Sequence, residues 1–190
     1  MNKRQAKSFF DNIKIKKLYR ASFPRAERKP FSVIKQMQKE KRGDLWIYEE
    51  NGKFLGFATT INGKSAVLVD YLAVNTDARG GGIGSKMLQD LRQHYGDDKL
   101  FLEIETVTPL ADNNDQRERR KAFYLKNGMK EVGVTANIFE TDMELLSFGL
   151  TMTFEEYRNF YRENYNTFAA DHILPEKGTT PPQNQKRKKM

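Results

Sequence analysis

Apolar positions along the chain change period several times, and the changes mark its elements. Ile13, Leu18, Tyr19 and Phe23 recur at helical spacing, predicting a first helix that ends before Pro24. Val33, Ile34 and Met37 share one face of a second helix, with Ser32 as its expected cap and Gly43 as its stop. The period then becomes that of strands. Leu45–Tyr48, Phe54–Thr60 and Ala66–Val74 are separated by Asn51-Gly52 and Asn62-Gly63. Asn-Gly supplies two left-handed positions, so the three runs read as an antiparallel meander joined by type I′ turns.

Helical spacing returns with Met87, Leu88 and Leu91 and stops near Gly96. A strand at Leu100–Glu105 follows, then a charged helix over 115–126 that ends at Asn127-Gly128. Strands are expected at 130–134 and 137–145, and Thr153 with Glu156 forms a capping box for a last helix rich in Tyr157, Phe160, Tyr161 and Tyr165. No strand is legible before the first helix. The strand–helix–strand unit over 66–105 requires a parallel pair with a right-handed crossover. The fold class is therefore α/β, a mixed and mostly antiparallel sheet with helices on both faces.

Charge refines the boundaries. The formal net charge is +8, but residues 1–30 carry ten Lys/Arg against two acids, and residues 172–190 carry five against one. The body, 31–171, has 18 bases and 22 acids. We expect one domain over 1–171, with 171 approximate, and a basic, disordered tail over 172–190. An acidic body argues against nucleic acid as a partner. No apolar run approaches the roughly 20 residues of a membrane span, and no apolar leader follows Met1. Cytoplasmic residence is the simplest expectation. The absence of cysteine excludes disulfides and thiolate chemistry. His94 and His172 have no ligand-like spacing, so no metal is expected.

The remaining chemistry sits between the third strand of the meander and the next helix, at Asn75-Thr76-Asp77-Ala78-Arg79-Gly80-Gly81-Gly82-Ile83-Gly84-Ser85. A glycine loop opening a helix presents free N–H groups and the positive end of the helix dipole to an anion. A P-loop would need Gly-Lys-Ser/Thr, and Lys86 follows Ser85 instead. A dinucleotide fingerprint started at Gly80 meets Ser85 where its third glycine should be.

Arg79-Gly80-Gly81-Gly82-Ile83-Gly84 resembles the Arg/Gln-x-x-Gly-x-Gly/Ala signature of the GNAT acyltransferases. Tyr71-Leu72-Ala73-Val74 is similar to that family's fourth strand, and Ala122-Phe123-Tyr124-Leu125-Lys126-Asn127-Gly128-Met129 to its Phe-Tyr-x-x-x-Gly-Phe segment. The resemblance covers roughly residues 10–145. It implies an N-acetyltransferase that moves acetyl from acetyl-CoA to a primary amine by direct attack, without a metal. In this reading Leu72, Ala73 and Val74 flank the pantetheine arm. Arg79, Gly80, Gly81, Gly82, Ile83, Gly84 and Ser85 hold the pyrophosphate. Tyr124 faces the sulfur as general acid. Asn113 is a further coenzyme contact, although Arg117-Glu118-Arg119-Arg120 replaces the family's Asn-x-x-Ala.

Proton bookkeeping ranks the remaining groups. An alkylammonium of pKa about 10.4 is neutral in about one molecule in 2,500 at pH 7, so making it nucleophilic costs roughly 4.6 kcal/mol. Protonating a thiolate of pKa about 8.5 is a smaller requirement, about 2 kcal/mol. A base is the larger need, and Glu103, Glu105 and Asp70 are its candidates, with an ordered water as an alternative relay. The acceptor is expected to be a small-molecule or peptide amine. Two other functions stay open on the same sequence: an acyl-CoA sensor without turnover, and nucleic-acid binding by the basic ends. A homodimer is compatible with the sequence.

Overall fold

The computed structural model describes residues 1–175, apart from the side chain of Ala26. Its strands are β1 (Asn2–Gln5), β2 (Leu45–Glu50), β3 (Lys53–Asn62), β4 (Val67–Val74), β5 (Leu100–Glu105), β6 (Lys130–Ile138), β7 (Thr141–Ser147) and β8 (Ile173–Leu174). Its helices are α1 (Phe9–Ser22), α2 (Phe31–Lys39), α3 (Ile83–Tyr95), α4 (Asn114–Lys126), α5 (Phe154–Asn164) and α6 (Thr167–Asp171). The strands form one sheet in the order β1-β2-β3-β4-β5-β7-β6-β8. Only β4 and β5 pair in parallel, across the α3 crossover.

Alternation along each strand sends side chains to two cores. Trp46, Tyr48, Val67, Val69, Leu100, Leu102 and Ile104 meet α3 through Met87, Leu88 and Leu91. Leu45, Ile47, Phe57, Tyr71 and Ala73 meet α1 and α2 on the opposite face. Leu68, Phe101 and Leu145 continue that face beneath α5 and α6. Helices therefore cover both sides of a mostly antiparallel sheet, as expected.

The sheet opens where β4 and β5 part. They pair only at Val67↔Leu100 and Leu68↔Phe101. Immediately beyond, the β3–β4 register jumps from Thr60↔Val69 to Thr59↔Tyr71, leaving Asp70 as the extra residue of a β-bulge. The bulge reverses the alternation of β4, so Val69 faces α3 while Tyr71 and Ala73 face α1. Past it, the β5-facing edge of β4 is unpaired.

Several expectations are corrected. A strand does precede the first helix: β1 pairs antiparallel with β2. It carries no apolar alternation and is tied by charge, through Arg4–Asp11 and Lys3–Asp90 contacts of 2.8 Å. In α1 the inward residues are Asp11, Ile15, Leu18 and Tyr19, while Ile13 is exposed. Helix α2 starts after Pro30 rather than at Ser32, and it ends at Lys39 before Gly43 is reached. Asn51 and Gly52 take the positive φ values of a type I′ turn, 49° and 75°, but Asn62-Gly63 does not. A Cβ on Gly63 would meet Asn164 and Phe160 at 2.9 Å, so close packing explains that glycine. The β6–β7 turn falls at Phe139-Glu140, both with positive φ, and not near 135–136. Strand β8 pairs with β6 two residues past the expected domain boundary. The rest of the expected basic tail, 176–190, lies outside the described residues.

Candidate active site

The parting of β4 and β5 creates a groove of about 970 Å³, lined from β4, β5, the loop before α3, α4, the α1–α2 connection, the β6–β7 turn and α5–α6. At one end lies the glycine loop. Gly80 and Gly82 have φ of 82° and 70°, and a Cβ on either would meet nothing within 4 Å. Their glycines are required by backbone conformation. Gly82 is the N-cap of α3 and has no side-chain cap partner, so the first-turn amides remain available to an anion. Gly84 serves differently: a Cβ there would stand 3.3 Å from the Phe123 ring and 3.5 Å from Val74. That close approach brings α3 against β4. Arg79, Gly80, Gly82, Ile83, Gly84 and Ser85 line the groove, as do Leu72, Ala73 and Val74. Gly81 does not. Arg79 Nε donates to the Val74 carbonyl at 3.4 Å.

Tyr124 lines the groove beside Phe123 and Arg120. Burial pushes its hydroxyl up to about 12, with Arg120 pulling the other way. A phenol so held gives a hydrogen bond more readily than it gives up a proton.

The three carboxylates also line the groove, in different circumstances. Glu105 is held by Arg117 at 2.8 Å and Arg120 at 2.9 Å. Asp70 accepts from Lys29 Nζ at 2.5 Å. Glu103 has no ion-pair partner among the described residues. Its Oε1 accepts from the hydroxyls of Tyr157 at 2.7 Å and Tyr161 at 2.8 Å. Burial raises its pKa above the usual carboxylate range, opposed by those two hydrogen bonds and by Lys29. For Lys29, burial works to lower the pKa, but attraction and hydrogen bonding to Asp70 outweigh it and raise the ammonium. Asn113 stands outside the groove; its amide faces Glu105 at 3.4 Å and its oxygen accepts from Arg117 Nε at 2.8 Å. It braces the Glu105 clamp.

Lys29 and Tyr161 were not among the residues expected from sequence. Lys29 lies in the irregular link between α1 and α2, held by backbone bonds to tyrosine hydroxyls: its N–H donates to Tyr71 and its carbonyl accepts from Tyr19, both at 3.1 Å. Tyr161 belongs to the aromatic run of α5, for which the sequence predicts a helix but assigns the hydroxyls no role. The capping box at Thr153 and Glu156 was the available signal for that helix, but not for the direction of its hydroxyls.

Among the described residues there is no cluster of His, Cys, Asp or Glu placed to hold a metal ion. No helix there is long and apolar enough to cross a membrane.

Comparison with known proteins agrees with this geometry. Residues 41–131 match the family model of the acetyltransferase (GNAT) domain. Over 110 residues the chain is 33% identical to YjbC of Bacillus subtilis (strain 168), a candidate acetyltransferase, in a match covering 57% of this chain and 52% of that protein. The chain thus spans about half the length of that relative. Among solved structures, a candidate GNAT-family acetyltransferase from Bacteroides thetaiotaomicron superposes with a TM-score of 0.70 at 19% identity, covering 86% of this chain and 95% of the other. An aminoglycoside 6'-N-acetyltransferase complexed with coenzyme A gives 0.61 at 17% identity, covering 77% and 96%. The chain has the GNAT fold, and its residues 41–131 are similar to the GNAT acetyltransferase domain.

Proposed function

We propose that the protein is a cytoplasmic acetyl-CoA-dependent N-acyltransferase whose acceptor is a primary amine. One observation carries the reading: a single groove joins the anion-binding loop, the unpaired edge of β4, Tyr124 and Glu103. When bound, acetyl-CoA supplies an acetyl group already activated as a thioester.

The chain's own residues do the rest. Arg79 and the first-turn amides of α3 bind the diphosphate, where fixed dipoles and one guanidinium meet concentrated negative charge. The backbone of Leu72–Val74 offers its free edge to an extended arm, as a sheet edge does to a peptide. Of the three carboxylates, Glu103 is the base. Asp70 and Glu105 are already neutralised by Lys29 and by two arginines, whereas Glu103 has no charged partner among the described residues and a raised affinity for a proton. Glu103 takes one proton from the acceptor ammonium, freeing the lone pair that then forms the N–C bond. As the C–S bond breaks, Tyr124 donates its proton to the sulfur and is reprotonated by the second proton leaving the nitrogen. The balance is one amide and one thiol formed, with one proton released to solvent.

Isothermal calorimetry with CoA and acetyl-CoA, followed by thiol release across a panel of amines, tests the reading. The expected outcome is binding of both, turnover with at least one amine, and a kcat loss of roughly 10²-fold or more in Tyr124→Phe with acetyl-CoA affinity retained. No affinity for either compound would reject the proposal. Binding without turnover on any amine would point to an acyl-CoA sensor instead.

A further inference from the structure

The charged groups of the groove nearly cancel, and the two that do not cancel suggest what the acceptor carries. Asp70 is paired with Lys29, and Glu105 with Arg117 and Arg120. Arg79 belongs to the diphosphate loop. Glu27 also lines the groove without an ion-pair partner among the described residues, but it is solvent-exposed, where water screens its charge. Glu103 and Arg28 remain. Glu103 is partly buried with only tyrosine hydroxyls for partners. Arg28 lines the groove next to Lys29, and among the described residues its side chain makes no hydrogen bond or ion pair. Its Nε is buried without a partner. A buried polar atom left unpaired costs roughly 1–3 kcal/mol, and charges withdrawn from water are ordinarily matched.

The walls around these groups are aromatic. Phe23, Phe139, Tyr161, Tyr165 and Phe168 line the part of the groove away from the glycine loop. Phe139 and Phe168 are 53% and 64% exposed although their rings lie 5.9 Å apart. Large aromatic faces left open beside a groove are characteristic of a ligand site. A second substrate cation would find little support. The Tyr165 face already carries the Lys29 ammonium at 4.6 Å from its centroid, Asp70 and Glu105 are occupied, and Glu27 is solvent-exposed.

Resting on the acyl-transfer reading, we infer that the acceptor is a small zwitterion: an amine that also bears a carboxylate and an apolar side chain of aromatic size. Its ammonium sits on Glu103, its carboxylate on the Arg28 fork, and its side chain against the aromatic wall. Free amino acids with aromatic or large apolar side chains meet this description. Polyamines and aminoglycosides, which need several unpaired carboxylates, do not.

The test compares four probes by calorimetry on the full chain, with and without saturating CoA: L-phenylalanine, phenethylamine (no carboxylate), 3-phenylpropionate (no amine) and spermidine. L-phenylalanine is expected to bind at least roughly tenfold more tightly than any of the others, a modest return for a charge-assisted bidentate contact. Arg28→Gln should shrink the ratio of L-phenylalanine to phenethylamine affinity toward one, and Arg28→Lys should restore part of it, with melting curves confirming that both variants fold. Phenethylamine or spermidine binding as tightly as the amino acid would overturn the inference, as would an unchanged ratio in Arg28→Gln. Failure of CoA to bind would sink the acyl-transfer reading. Loss of the zwitterion preference with CoA bound would sink this inference alone.

Discussion

In the proposed reaction Glu103 serves chemistry at the expense of stability. Its raised pKa means that the folded chain holds the proton more tightly than the unfolded chain does. Stability therefore falls as pH rises from the ordinary carboxylate value through the raised one, and the cost of a buried charge persists above it. Glu103→Gln keeps an acceptor for Tyr157 and Tyr161 and removes that charge. Its melting temperature at pH 7–8 is expected to equal or exceed the parent's, while thiol release falls by roughly 10²-fold or more and the acid limb of its pH–rate profile disappears. A clear drop in melting temperature with full activity would mean that Glu103 is a structural carboxylate. At this scale the sequence was informative wherever a motif fixed a position. Arg79, four of the loop's residues from Gly80 to Gly84 and Tyr124, singled out through the family resemblance, line the groove. Arg28 and Lys29 were not singled out, because they lie in a segment without period, and tyrosine hydroxyls from distant elements hold the Lys29 backbone in place.

Among elements, β1 and the start of α1 are joined through one carboxylate. Asp11 accepts from the backbone N–H groups of Lys7 and Ser8, completes the capping box with Ser8, and takes both Nη atoms of Arg4 at 2.8 Å. Hydrogen bonds from Arg4, opposed by burial, hold its carboxyl well below the usual range. A depressed pKa contributes stability that is complete above the unfolded value of about 3.9 and lost as pH falls below it. Asp11→Ala should cost about 2–3 kcal/mol in urea unfolding at pH 7, combining a lost cap with a lost partner for an arginine that is 46% exposed and therefore screened. The difference from the parent should narrow at pH 3. An undiminished difference there would show that packing, not charge, joins the two elements. This is also why β1 was missed: strand recognition reads apolar alternation, and β1 is fixed by ions. The hairpin turn at Phe139-Glu140 escaped for a related reason, since neither residue type announces a left-handed backbone.

For the whole molecule, the open seam between β4 and β5 leaves a large groove inside a single sheet. A ligand that fills it binds only the folded chain, so stability should rise by mass action. Acetyl-CoA at about 100 times its dissociation constant would add about 2.7 kcal/mol, or roughly 5–10 °C in melting temperature for a chain of this size. No shift at that concentration, with the protein otherwise cooperative, would argue that the groove is not its site. The amino-acid sequence alone determined the order of most elements, the meander, the parallel crossover and the glycine loop before α3, because each rests on local periodicity or on backbone conformations that particular residues permit. Only the tertiary structure decided which carboxylate stays unpaired, where β4 bulges at Asp70, and that α5 turns two tyrosine hydroxyls onto Glu103. Those outcomes depend on the contacts among residues far apart in the chain, and no local pattern encodes which buried charge will find a partner.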